Sequence, residues 1–131
     1  MKVLIVEPDW RFSQQATEYL ESHAHLVVHQ SRPAEAIGKA DHWQPDLVIV
    51  ASEMAETGIL EALSQLDRSP AILLTGWMDR YDAAWRAWQR GGDELLIKPV
   101  FKIEELHEAI VMAMENAATG VHSSRRAISS A

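Results

Sequence analysis

Five short apolar runs alternate along this chain with stretches of helical period, and that alternation restricts the fold more than any other feature. Residues 3–6, 47–50 and 71–74 are apolar without a break, and residues 26–28 and 95–97 repeat the pattern more weakly. A strand with one wet face alternates apolar and polar side chains. A continuous run instead marks a strand covered on both faces, as in a parallel sheet. Between the runs, apolar residues recur at helical spacing: Phe12, Ala16, Tyr19 and Leu20; Ala36, Ile37 and Ala40; Ile59, Ala62, Leu63 and Leu66; Ala84, Trp85 and Trp88; Ile103, Leu106, Ile110 and Met114. Strand and helix in turn, five times over, predict an α/β three-layer sandwich with right-handed crossovers.

At 131 residues the chain is the size of one compact domain, which buries roughly two thirds of the surface its unfolded form exposes. The periodic part ends near residue 117, so residues 1–117 are expected to form the domain. Residues 118–131, rich in Ser and Arg and without acids, are expected to be a flexible tail or a linker to an output domain. A formal charge of −7 argues against a nucleic-acid surface, which needs clustered Lys and Arg. The absence of cysteine removes disulfide, thiolate-metal and cysteine-nucleophile chemistry. Met1-Lys2 is followed by only four apolar residues before Glu7, too few for a signal peptide, and no run approaches a membrane span, so a cytoplasmic protein is expected. His23-Ala24-His25 has no companions at metal-ligand spacing, and no metal site is expected there.

In an open parallel sheet, chemistry collects at the carboxyl ends of the strands, beside the point where strand order reverses. The residues expected there are Glu7-Pro8-Asp9, Ala51-Ser52-Glu53, Thr75-Gly76 and Lys98-Pro99. A carboxylate, a hydroxyl and a lysine converging from separate strands would suit an oxyanion accompanied by a divalent cation.

Four ordered segments carry a family likeness: Val3-Leu4-Ile5-Val6-Glu7-Pro8-Asp9, Pro45-Asp46-Leu47-Val48-Ile49-Val50, Pro70-Ala71-Ile72-Leu73-Leu74-Thr75-Gly76, and Gly91-Gly92-Asp93-Glu94-Leu95-Leu96-Ile97-Lys98-Pro99-Val100. With these, residues 1 to about 117 resemble the receiver domain of two-component response regulators. The resemblance implies a flavodoxin-like (βα)5 sandwich with a five-stranded parallel sheet of order 2-1-3-4-5, working in signal transduction and phosphorelay. Such receivers accept a phosphoryl group on an aspartate at the end of the third strand, beside Mg²⁺ held by acids at the end of the first. By the same comparison Glu7, Thr75 and Lys98 match the first acid, the switch hydroxyl and the lysine of the family, and Lys98-Pro99 is expected to be cis. The chain departs from the pattern at Ala51, where the acceptor is expected, and at Pro8, where the second acid is expected. Its loop Ser52-Glu53-Met54-Ala55-Glu56-Thr57-Gly58 lacks the family's proline and one residue of its length.

The expected reading is therefore a pseudo-receiver with a vestigial pocket of Glu7, Pro8, Asp9, Ala51, Thr75 and Lys98, no catalytic residue, no cofactor and no bound metal. Glu7 and Lys98 are read as a buried ion pair, and Asp9 as the cap of the first helix. Partners, or a second copy, would dock on the face of the fourth helix, fifth strand and fifth helix, through Tyr81, Trp85, Trp88 and Leu95. Trp88 is also read as packing the fourth helix on the sheet, and Trp85 stands open between core and interface. Two other readings are a receiver phosphorylated with Mg²⁺ on a non-standard acid, such as Glu7, Asp9 or Glu53, and a flavin-binding relative. The second lacks a phosphate-cradling loop, since the first strand leads into Glu7-Pro8-Asp9-Trp10.

Overall fold

The computed structural model describes residues 1–120. Strands and helices follow one another as β1 (Lys2–Val6), α1 (Trp10–Ser22), β2 (Leu26–His29), α2 (Pro33–Trp43), β3 (Leu47–Ala51), α3 (Ile59–Ser64), β4 (Ala71–Trp77), α4 (Tyr81–Arg90), β5 (Glu94–Lys98) and α5 (Ile103–Thr119). Short 3₁₀ helices at Ser52–Thr57 and Met78–Arg80 introduce α3 and α4. All four strand pairings are parallel and the order is β2-β1-β3-β4-β5, as expected.

The unbroken apolar runs follow from the layering. Successive side chains of a strand point to opposite faces. Val3, Ile5, Leu47, Ile49 and Leu73 meet Phe12, Ala16 and Leu20 of α1 and Leu106 and Ile110 of α5. Leu4, Val6, Val48, Val50, Ile72 and Leu74 meet Ala36 and Ala40 of α2, Leu60 and Leu63 of α3, and Ala87 of α4. Residues 3–6, 47–50 and 71–74 thus need apolar side chains whichever way they point, whereas the edge strand β2, expected to be covered on both faces, has Leu26 63% exposed because no strand lies beyond it.

After β1 the chain adds β2 on one side and then crosses to β3 on the other, so order reverses between β1 and β3. Register carries that switch point outward: Val6 lies beside Val50, Ala51 beside Thr75, and Trp77 beside Lys98. The strands run further than the apolar runs suggested, because β3 includes Ala51 and β4 continues through Thr75-Gly76 to Trp77. α3 is shorter than its apolar period, leaving Leu66 outside the helix but packed on the core. α5 extends to Thr119, two residues past the boundary expected at 117, and the remaining tail, residues 121–131, lies outside the described residues.

Buried Asp93 ties the entry of β5 to its surroundings. Its carboxylate accepts the Ile72 N–H at 2.7 Å, its own N–H donates to the Ile72 carbonyl at 2.7 Å, and its carbonyl accepts from the Asn116 amide at 2.7 Å. These bonds hold β5 and α5 against β4.

α4 approaches the end of β4 very closely. A Cβ at Gly76 would lie 2.7 Å from the Ala84 Cβ and 3.3 Å from the Ser52 Oγ. Gly76→Ala should therefore push α4 off the strand end and destabilise the fold by about 1–3 kcal/mol, the usual range for overpacking. A urea denaturation midpoint indistinguishable from wild type would show that α4 yields freely.

Candidate functional site at the strand ends

Glu7 follows the last residue of β1, and Lys98 ends β5, two strands beyond β3 in the sheet. The lysine's four-carbon stem covers the separation. Its ammonium donates to Glu7 Oε1 at 2.5 Å, and both residues are 1% exposed. The Thr75 hydroxyl, on β4 between them, donates to Glu7 Oε2 at 2.6 Å. The Asp9 N–H donates to Glu7 Oε1 at 3.2 Å. Both oxygens of Glu7 are thus engaged by donors of the chain itself.

The ammonium has aromatic company as well. The Trp77 ring centroid lies 4.6 Å from Lys98 Nζ and the Phe12 centroid 5.7 Å, distances at which the ring quadrupole favours a cation. Asp9 Oδ2 stands 4.0 Å from the same nitrogen, at the limit of an ion pair. Asp9 is chiefly the N-cap of α1, its Oδ1 accepting the Arg11 N–H at 3.2 Å. Beneath this cluster Ala51 is fully buried.

The residues expected in a vestigial pocket are thus divided by the fold. Glu7, Thr75 and Lys98 are in direct contact, Asp9 stands at the edge, Ala51 lies inside, and Pro8 is exposed. The Lys98-Pro99 peptide is cis, as the resemblance implied. Ser52 is buried at the start of its 3₁₀ helix, and the neighbouring Glu53 is exposed. Sequence reasoning missed two contacts. Phe12 had been assigned only to the face of α1 that packs on the sheet, yet its ring also meets the ammonium. His29, at the end of β2, donates from Nε2 to the Glu7 carbonyl at 3.0 Å and fixes the chain just past β1. A carbonyl only accepts, so that nitrogen must carry the proton.

His23 and His25 flank Ala24, whose φ of 64° turns the chain into β2. His25 Nδ1 lies 2.8 Å from the N-terminal ammonium. Burial first, then that ammonium and His23, holds the His25 pKa below its ordinary value. Among the described residues no group of three or more acids and histidines is arranged to hold a metal.

On α4, Tyr81 and Trp85 are 57% and 48% exposed, and with Asp82 they line a shallow depression of about 370 Å³. Trp88 and Leu95, expected on the same docking face, are half-buried and pack against the core on the α2, α3 and α4 side of the sheet. The expected interface therefore separates into an exposed aromatic pair and two residues held inward.

Residues 3–111 match the response regulator receiver domain family. The chain belongs to that family. It is 30% identical over 117 residues to the transcriptional regulatory protein PdtaR of Mycobacterium tuberculosis, covering 86% of this chain and 56% of that protein. It is 28% identical over 118 residues to the chemotaxis protein CheY of Listeria monocytogenes, covering 86% of this chain and 98% of CheY. Among solved structures, a response regulator receiver domain protein from Clostridium thermocellum superposes with a TM-score of 0.73 at 23% identity, over 90% of this chain and 97% of that one. NtrX from Brucella abortus superposes with a TM-score of 0.78 at 17% identity, over 94% of this chain but 28% of that one. The chain is thus a receiver domain of two-component response regulators, and it spans little more than half the length of PdtaR. Among the described residues no helix is long and apolar enough to cross a membrane.

Removing one partner of a buried ion pair strands the other charge, whereas removing both leaves only apolar packing to adjust. Lys98→Met should therefore destabilise the receiver by about 3–5 kcal/mol, and Glu7→Leu combined with Lys98→Met should recover much of that loss. Chemical denaturation of Lys98→Met, Glu7→Leu and the double variant checks this. A double variant as unstable as the sum of its singles would mean the two charges act independently.

Proposed function

We propose that this receiver signals by binding rather than by phosphoryl transfer, as a pseudo-receiver. The observation that carries the reading is the saturation of Glu7. Its two oxygens take Lys98, Thr75 and the Asp9 N–H, while a buried methyl group, Ala51, occupies the end of β3. An aspartyl phosphate needs a carboxylate nucleophile, and alanine supplies none. Mg²⁺ needs near-octahedral oxygen ligation, usually with one or two carboxylates free to bind it. Here Pro8 and Ala51 offer no side-chain oxygen, Glu7 is engaged, and Asp9 caps α1. These residues do not fit the cation that the family implies.

Without a phosphoryl group, two states of the domain can be biased only by a partner that binds one better than the other. The surface best suited to such a partner is the exposed Tyr81 and Trp85 pair on α4, since Trp and Tyr supply much of the binding energy in protein interfaces. Self-association through this face is the simplest form of the reading. The output of any longer protein containing this domain would then follow from assembly rather than from a kinase.

Incubation with a small acyl-phosphate donor and Mg²⁺, followed by intact-mass measurement, should leave the mass unchanged, and millimolar Mg²⁺ should leave tryptophan emission unchanged. A gain of one phosphoryl group, mapped to Glu7, Asp9 or Glu53, would instead establish the receiver phosphorylated on a non-standard acid.

The docking face is tested separately. Tyr81→Ala combined with Trp85→Ala should abolish any concentration-dependent dimer seen by sedimentation velocity while the far-ultraviolet spectrum stays native, because exposed side chains contribute little to folding. Loss of the native spectrum would place the two rings in the core.

A further inference from the structure

β4 sends two side chains to the strand-end centre. Thr75 and Trp77 are two residues apart on that strand, so both point to the same face of the sheet. Register sets Trp77 beside Lys98, the last residue of β5. Thr75 bonds to the carboxylate of Glu7, whereas the Trp77 ring lies over the ammonium, its centroid 4.6 Å from Lys98 Nζ.

That ring stands where the ammonium would otherwise meet water. A cleft of about 260 Å³ opens between the start of α1 and the ends of β4 and β5, with Asp9, Phe12, Gln15, Trp77, Lys98 and Val100 among its walls. Lys98 borders the cleft and is nevertheless 1% exposed. Of the two rings near its ammonium, Phe12 is buried and Trp77 is half-buried, so only Trp77 meets both the cation and the solvent. Glu7 and Thr75 are themselves buried and cover the ammonium from the protein side. An ion pair shielded from water is also held more strongly than one that water screens.

We propose that Trp77 is a lid over the Glu7–Lys98 centre. With the ring in place, water and small ions in the cleft are kept from Lys98. With the ring turned outward into the cleft, the ammonium is open to them. Indole suits this task because it is broad enough to cover the tip of a lysine, and its π face attracts the charge it covers, which holds the closed position. The lid excludes a small phosphoryl donor by bulk, whereas Ala51 denies that donor a nucleophile. It depends on the burial of Lys98 and not on the residue at the end of β3, so closure of the lid and inertness to an acyl phosphate can each fail without the other.

The test is the rate at which the ammonium protons of Lys98 exchange with water, read by nuclear magnetic resonance on the full chain with isotope-labelled lysine. In the wild type these protons should exchange at least about tenfold more slowly than those of the exposed Lys102. Trp77→Ala should speed the exchange of Lys98 by about tenfold, the scale of one cation–π contact, while Lys102 and the amide spectrum away from the cleft stay unchanged. Trp77→Phe keeps a ring over the ammonium and should stay close to the wild type. Trp77→Leu keeps apolar bulk without a π face; it should speed exchange several-fold, and it replaces the alanine variant if that one loses the native amide spectrum. Wild-type exchange as fast as that of Lys102 would show that Lys98 is not sealed. Slow exchange retained in both Trp77→Ala and Trp77→Leu, or equal acceleration in Trp77→Phe and Trp77→Ala, would show that the ring is not what seals it, and either result overturns the proposal.

Discussion

The buried pair of Glu7 and Lys98 is the interaction on which the rest of the structure depends. The two residues are 91 positions apart in the chain, and each is 1% exposed, so neither charge has water to fall back on. Each is tolerable only when the other is in place and the remaining hydrogen-bonding capacity is met. That condition requires the ends of β1, β4 and β5 to come together at once, because Thr75 must reach Glu7 from β4, one of the two strands between them. It also requires an aromatic lining, which Phe12 and Trp77 provide from α1 and the end of β4. A mostly apolar scaffold is thereby given a polar centre with little tolerance for misalignment.

Satisfying that centre internally has a consequence for function. A carboxylate, a hydroxyl and a lysine are the materials of an oxyanion site, but here they are bonded to one another. Groups that could engage an outside molecule lie on the periphery, among them the Tyr81 and Trp85 pair on α4. The close approach of Ala84 to Gly76 joins α4 to the centre. Displacement of α4 by a partner would be felt at the end of β4, one residue from Thr75. Under the proposed function, that contact would let packing, rather than a phosphoryl group, carry the signal.

Much of the fold was legible from apolar runs alone, since the middle of a strand buried on both faces favours apolar residues at either parity. The cap at Asp9 was equally legible, because a carboxylate at a helix entry has a local partner in the N–H two residues on. Local pattern was a poorer guide where an outcome depended on distant neighbours. Trp85 and Trp88 lie on the same helix, yet Trp85 is exposed and Trp88 packs inward. The helical period offered both as candidates for either role. Asp93 stood in the sequence only as one residue of the family-like segment 91–100, but its carboxylate is buried on the Ile72 N–H.

By itself the sequence determined the alternation of strand and helix, the parallel sheet, and the presence of Ala51 rather than an acid at the end of β3. These follow from side-chain parity, helical period and residue identity, all of which are properties of short stretches. Only the tertiary structure decided that Lys98 reaches Glu7 from two strands beyond β3, that Thr75 saturates the second oxygen, and that the Ser13 hydroxyl is buried without a partner. Those outcomes depend on which elements pack side by side and how closely, and hydrogen-bond partners and solvent exposure are properties of neighbours in space rather than neighbours in the chain.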